Sequence, residues 1–526
     1  MGIRSMQSER TGTAPPHAAA VPAAALRLPG FGGRPGLWPV GFTVLAATAF
    51  LVLRPPVGDL WAARARASAA VHGVGLHYWF SWFGGTVPGH YSVLAPYLSR
   101  IADVGVLGAA ATVAITPLCH RLVRGSPHAA AATWLAAIGS GFSLWSGRVP
   151  FALGTALMLM ALLCVRADRR GPAGIVGAFT ALLSPVSGAF LILGLIGVFV
   201  HLPQRRVTAA WAVTGAGACL LAVAAYFGVP GPEGFQLVPA AAATAAVAVM
   251  LLARPAPYVR TVILISLIAC PLLAVIPNGM GSNFERFAWI CLPVATVATA
   301  RARLPLIAAA ATAAMALGII GSVHDLVVAA QPMSDKSYYT GLVAQLDRTP
   351  GLASYRVEIV PDGTHVAAYA LLDHASLARG YETQSDNALN SVLKSKSLDA
   401  TSYKAWLDNN AVGYVVIDRQ TLASGPEDKL VRPGRLPYLR QVWSDAHWRL
   451  FKVTAPSPIV APPGRLVDAD QASLVISTPS AGRLAVRVRW SRFLQVNPGR
   501  PARLVPDGQG WTTLVVTQPG RYVVTG

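Results

Sequence analysis

The chain has 526 residues, too many for one compact domain. Hydrophobic residues make up 53%, charged residues only 13%, and the mean hydropathy is +0.48, which excludes an ordinary soluble protein. A net charge of +20 would suit nucleic acid, but most of the excess lies in short loops between apolar runs, where the Lys/Arg asymmetry of membrane proteins accounts for it.

In chain order, residues 1–36 are polar, basic and rich in Pro, Gly and Ala, and predict a disordered cytoplasmic tail. A signal peptide is not expected, because the apolar run begins late and no small-residue cleavage site closes it. Apolar runs near 37–54, 98–118, 128–146, 149–166, 207–228, 236–253, 259–276, 286–300 and 304–323 predict membrane spans. The run 172–201 is too long for one straight span and carries Ser184-Pro185 in its middle. Proline lacks a backbone donor and disfavours helix just before it, so this run is predicted as two helices; one long kinked helix is the alternative.

Orientation supports two crossings. With the tail inside, the clusters Arg121/Arg124, Arg166/Arg169/Arg170, Arg205/Arg206, Arg254/Arg260 and Arg301/Arg303 share one side only if 172–201 crosses twice. The expectation is a polytopic α-helical membrane domain over 37–330, with ten to eleven spans, in the plasma membrane. The N-terminus is then cytoplasmic and everything after residue 330 is extracellular. Cys119, Cys164, Cys219, Cys270 and Cys291 all lie in or beside spans, so neither a disulfide framework nor a CxxC metal knuckle is available.

Up to residue 334 there are seven acids against 21 bases, so carboxylate chemistry has few candidates there. Asp59 stands in the long outer loop 54–100, before a stretch of helical character at 60–72. A carboxylate at the water–lipid boundary can act as general base for an acceptor hydroxyl; the plainer role is a helix cap or first-turn acid. Asp103, at the outer turn of the second span, is a second catalytic candidate, or pairs with Arg100. Arg148, in a tight outer turn, and Arg286, in the loop PNGMGSNFER, suit a phosphate, since the guanidinium fork matches phosphate oxygens; headgroup charges and a Glu285–Arg286 pair are the plainer readings. His72, His90, Tyr91, Asn283 and Glu285 complete the candidate contacts for a substrate. No HxxxH or HxH spacing places a metal on His72, His77 or His90. Tyr78, Trp79 and Trp82 read as membrane-interface anchors.

Residues 331–455 alternate helical stretches with the apolar segments VEIV, GYVVID and WRLFKV, which predicts a small α/β domain. No GxGxxG, Walker loop, GxSxG or HExxH is present. Residues 456–526 predict short strands at regular spacing, a β-sandwich-like module. Arg487, Arg489 and Arg492 alternate there, as a solvated face or an anionic glycan contact.

Asp59 in the first outer loop, SGRVPFALG at 146–154, the Ser184-Pro185 break and the exported C-terminal part together resemble the GT-C superfamily of membrane glycosyltransferases. LARGYETQSD (377–386) and YKAWLDNNAVGYVVID (403–418) resemble actinobacterial polytopic membrane proteins of this general type. The resemblance implies a catalytic acid in the first outer loop and a polyprenyl-phosphate-linked sugar as donor, with an envelope glycan, lipid or protein as acceptor. Asp59 is followed by Leu60 rather than a second acid, a departure from the commonest family pattern. No cofactor is therefore assigned, and a divalent cation stays open. The alternative is a nonenzymatic envelope assembly protein, transporter or flippase. Against a transporter stand the lack of an internal repeat and the near absence of mid-span charge.

Overall fold

The computed structural model describes residues 36–420, 424–497 and 501–526, so the predicted tail lies almost wholly outside the described residues. A helical region with several long apolar helices is followed by a strand-rich part. Leu45, Val52, Leu221 and Val238 face outward on these helices although each is large and aliphatic. Such helices would be unstable in water and suit a lipid surround.

Among the described residues five helices are long and apolar enough to cross a membrane: Val104–Val123, Val149–Arg166, Pro203–Phe227, Pro257–Val275 and Leu304–Ala329. Leu37–Leu53 and Gly58–Val71, bent by 69° at their break, make a sixth if taken as one span. Ala129–Trp145, Pro185–His201 and Leu237–Ala253 are shorter. A 17-residue helix covers only about 26 Å of a hydrocarbon layer about 30 Å thick. Even if all three shorter helices cross, these helices give nine spans, short of the predicted ten to eleven.

The run 172–201 folds as two helices, Arg170–Leu183 and Pro185–His201, meeting at Ser184 in extended conformation. A Cβ on Gly188 would stand 2.9 Å from the Cα of Ala181, so the helices double back against each other rather than forming one kinked rod. Ser184 caps the second helix by accepting from the Ser187 amide at 3.3 Å. The predicted span 286–300 is helical without a break but irregular: Phe284–Arg286 leads through a π-helical segment at Phe287–Cys291 straight into Leu292–Thr299. Pro293 lacks the donor that a regular helix would need there.

The arginine clusters gather at one end of the bundle. The Arg166 guanidinium donates to the carbonyls of Arg121, Leu122 and Arg124, and Arg205 lies 3.8 Å from Asp168. Asp59, Arg148, Arg286 and Asp325 group instead where the helices meet the strand-rich part.

That part opens with a mixed sheet of β1 (Arg356–Ile359), β2 (Val412–Asp418), β3 (Leu439–Ser444) and β4 (Trp448–Val453) in the order β1-β2-β4-β3. β1 and β2 are parallel, as a connection carrying the helix Ala400–Asn409 allows. Every residue of β2 is buried. Two further sheets, β7-β10-β9 and β5-β6-β11-β8, share a core of Ile476, Leu514 and Tyr522. Their strands are β5 (Arg465–Ala469), β6 (Ser473–Thr478), β7 (Gly482–Arg489), β8 (Gln495–Val496), β9 (Ala502–Pro506), β10 (Trp511–Val516) and β11 (Gly520–Thr525).

Two expectations are corrected. Tyr78, Trp79 and Trp82 are not interface anchors: all three are fully buried, Trp79 and Trp82 in one core with Leu342, Val357 and Trp448, and Tyr78 in the core that holds Ile476. The Trp82 indole donates to the Ala368 carbonyl at 3.1 Å and that of Trp79 to Gln471 at 3.2 Å. The loop after the first helix is thus a structural part of the C-terminal half. Nor do Arg487, Arg489 and Arg492 share one solvated face: Arg487 and Arg489 are half-buried, and only Arg492, beyond the end of the strand, is exposed. Arg489 donates to the Phe83 carbonyl and to Asn410, Arg487 to the Pro458 carbonyl, and Arg492 to the Tyr226 carbonyl, tying sheet to loop and helix.

Candidate functional site

Asp59 stands in the first turn of Gly58–Val71, whose N-cap is Val57 with no side-chain cap hydrogen bond. Asp59 is thus a first-turn acid, as the plainer reading had it, but its carboxylate accepts from no backbone amide among the described residues and turns toward three other segments. Tyr381 Oη donates to Asp59 Oδ1 at 3.0 Å. Arg148 Nε lies 3.4 Å from Asp59 Oδ2, and Arg286 Nη2 lies 3.7 Å from the same oxygen. Arg148 also donates through Nη2 to Asp325 Oδ2 at 3.3 Å.

Local structure explains the meeting of Arg148 and Asp59. Gly147 has φ +79°, a conformation costly for other residues, and a Cβ there would lie 2.5 Å from the Leu60 amide nitrogen. Only glycine lets the turn 146–148 approach the first turn of Gly58–Val71 this closely. Both ion pairs to Asp59 are longer than the 2.7–2.9 Å of charge-assisted hydrogen bonds. The buried Arg148 Nε has no hydrogen-bond partner among the described residues. The two guanidinium groups thus neutralise Asp59 while keeping donors unspent.

Asp59 opens onto a cavity of about 220 Å³ that also receives Arg66, His90, Tyr91, Arg286 and Glu382. The 54–100 loop, the 277–286 turn, the Ser184 break and the segment 381–384 all contribute walls. Beside Asp59 runs a second charged chain. His90 Nε2 is 2.6 Å from Glu382 Oε1, and Arg66 Nη2 donates to Glu382 Oε2 at 3.3 Å. The Arg66 guanidinium lies 3.7 Å over the Tyr91 ring, a cation–π contact. Burial pushes the Glu382 carboxyl up, but His90 and Arg66 more than offset this and hold it below the ordinary glutamate value. Glu382 is therefore an anion that fixes the ring orientation of His90.

The segment Tyr381–Thr383 also lines a cavity of about 390 Å³ in the strand-rich part. There Arg379 donates to Asp386 through Nε at 2.8 Å and Nη2 at 2.9 Å, to Glu427 at 2.9 Å and to Glu358 at 3.3 Å.

Of the sequence candidates, Asp59, His90, Tyr91, Asn283 and Arg286 line the 220 Å³ cavity. Arg148 lies behind Asp59, between it and Asp325. Glu285 neighbours Arg286 but is not part of the wall. Asp103 lies apart: it is the N-cap of Val104–Val123, accepting from the Gly105 amide at 2.8 Å and the Val106 amide at 3.4 Å. Its expected partner Arg100 donates instead to the Ala70 carbonyl. His72 closes the far end of Gly58–Val71, 2.9 Å from the Ser68 carbonyl, and borders a different cavity. Sequence reasoning missed Arg66, Asp325, Tyr381 and Glu382. Arg379, Tyr381, Glu382 and Asp386 crowd into the ten residues 377–386, and that density of polar groups is the signal that could have found them.

The direct partners of Asp59 are two guanidinium groups and a phenol, and among the described residues no group of three or more His, Cys, Asp or Glu gathers closely enough to hold a metal ion.

No family model and no curated protein matches the chain. Among solved structures it aligns with the archaeal oligosaccharyltransferase AglB from Archaeoglobus fulgidus, determined in complex with an inhibitory peptide and a dolichol-phosphate. The alignment has 15% sequence identity and a TM-score of 0.35, and covers 73% of this chain and 69% of that one.

Proposed function

We propose that the protein is a membrane glycosyltransferase of the outer leaflet, moving a sugar from a polyprenyl-phosphate donor to a hydroxyl of an envelope glycan, lipid or protein. One observation carries this reading: a carboxylate free of capping duty opens onto a cavity between helices and exported strands, with Arg286 in the wall and Arg148 behind it. In the reaction Asp59 takes the acceptor hydroxyl proton, the acceptor oxygen attacks the anomeric carbon, and the bond from that carbon to the phosphate oxygen breaks. The phosphate leaves with an added negative charge, which Arg286 meets directly and Arg148 supports through the local field. Glu382 orients His90 on the acceptor side.

A second reading follows from the same contacts. An aspartate bonded by one tyrosine and flanked by two arginines can also be a latch that joins bundle to exported domain, with no chemistry. Purified protein incubated with a radiolabelled polyprenyl-phosphate sugar and an envelope glycan extract decides between them. Transfer by the native chain and not by Asp59→Asn, with the melting temperature kept, supports the enzyme. No transfer by the native chain, with a melting temperature lowered by Asp59→Asn, leaves the latch.

A further inference from the structure

At the end of the bundle away from Asp59, a cleft of about 600 Å³ runs inward among the helices. Its polar wall is confined to the mouth, at Arg124, Ser126, Arg166, Gln204 and Arg205. Deeper, the lining is Met158, Leu162, Leu195 and Val262, closed by Phe190 and Phe287 with ring centroids 5.0 Å apart. Along one wall Phe190 to Val198 covers about 12 Å at 1.5 Å per residue, so the floor lies far inside a hydrocarbon layer about 30 Å thick. Beyond the floor Phe190 meets Phe151, which lines the Asp59 cavity, so the aromatic layer separates the two spaces.

The arginines at the mouth are not equivalent. Arg166 is spent on three helix-end carbonyls. The side chain of Arg124 has no hydrogen bond or ion pair among the described residues, and Arg205 reaches only Asp168, 3.8 Å away, too far to consume its donors. A cleft that is cationic at its rim and apolar within is complementary to an anionic head joined to a hydrocarbon chain. In a bilayer the abundant molecule of that kind is a phospholipid, and basic pockets between helices at the Lys/Arg-rich end are where such heads bind.

We propose that this cleft binds an anionic phospholipid of the leaflet at the arginine-rich end, its phosphate between Arg124 and Arg205 and one acyl chain along Gly194 toward Phe190. The site is independent of the chemistry at Asp59. Nothing stands within 4 Å of a Cβ added at Gly194, so a larger side chain there enters the cleft without displacing the backbone.

The test is native mass spectrometry of the full chain in detergent with phosphatidylglycerol, phosphatidylcholine of the same chains, or a polyprenyl phosphate. Phosphatidylglycerol is expected to bind about 25-fold tighter than phosphatidylcholine, roughly fivefold for each of the two arginines. Arg124→Ala with Arg205→Ala should erase that preference, and Gly194→Phe should remove the bound lipid from a chain that still elutes as one species. Gly194→Leu, a smaller intrusion, serves if the Phe variant misfolds. Equal binding of the two phospholipids, or undiminished binding to the cleft-filling variants, overturns the proposal. Polyprenyl phosphate held more tightly than phosphatidylglycerol overturns the assignment to a bilayer lipid.

Discussion

Tyr381 donates a hydrogen bond to Asp59 at 3.0 Å across 322 residues of sequence, and through that contact the strand-rich part forms part of the site wall. The bond sits at the junction of Gly58–Val71 with the segment that also supplies Glu382 and Arg379.

Removing the base should separate from removing its holder. Asp59→Asn is expected to lower the transfer rate by about 10²–10⁴-fold, the range of general-base catalysis. Tyr381→Phe loses one hydrogen bond, worth about 1–2 kcal/mol when a charged partner is involved, and should slow transfer by roughly tenfold. Steady-state rates on both variants check this; a Tyr381→Phe loss as large as that of Asp59→Asn would assign the chemistry elsewhere.

Arg286 and Arg148 should differ in kind. Arg286→Ala, at the cavity wall, is expected to raise the donor KM and lower kcat together. Arg148→Ala leaves Asp59 and Asp325 without their shared cation, so thermal stability should fall by about 1–2 kcal/mol in addition. Calorimetry of the two variants beside their kinetics distinguishes them, and an Arg148→Ala chain as stable as the native one would contradict the shared-cation account.

The Arg379 cluster predicts opposite pH responses from two carboxylates. Burial raises the Asp386 carboxyl, but Arg379 and Lys394 outweigh it and bring it down to about 2. Its folded value is depressed, so its contribution is present above the ordinary aspartate range and is lost as pH falls toward 2. Glu358 is pushed well above the usual glutamate range, by burial first and then by the Glu427 charge. Its folded value is raised, so its contribution is present at acid pH and is lost as pH rises through the folded value. Asp386→Asn should therefore destabilise the protein most at neutral pH. Glu358→Gln should keep or raise the melting temperature there while flattening its dependence on pH. Denaturation followed from pH 2 to pH 8 reads both signs.

Trp82, with no exposed surface, fixes the loop to the core of the mixed sheet. Trp82→Ala should cost about 3–5 kcal/mol and open the Asp59 cavity to solvent. Limited proteolysis between residues 72 and 100 is the direct readout, and unchanged resistance there would mean that the loop is held elsewhere.

Orientation is testable by cysteine substitution on a chain with its native cysteines replaced. Positions 279 and 401 are exposed at the Asp59 end and in the strand-rich part, and should react with an impermeant thiol reagent added outside intact cells. Position 168, exposed at the arginine-rich end, should react only after permeabilisation. The reverse pattern would invert the membrane topology.

The sequence by itself carried what depends on local chemistry. Hydropathy marks apolar helices without reference to any partner, and Pro185 must interrupt a helix wherever it lies, because it lacks the amide donor. The scarcity of acids before residue 335 directed attention to Asp59, and glycine followed by arginine at 147–148 marked a tight turn. The tertiary structure decided what depends on distant partners. An aromatic run such as 78–83 has the same local pattern whether headgroups or a protein core cover it, and here the covering residues lie more than 250 positions away, at Leu342, Val357 and Trp448. Asp103 and Asp59 look alike in sequence, each an acid just before or within the start of a helix. Only the fold shows that one carboxylate accepts from its own helix while the other reaches Tyr381. Span number is ambiguous for a related reason. Apolar content marks 286–300 as one run, but hydropathy does not register the π segment at Phe287–Cys291 that precedes Pro293, nor how far each short helix extends.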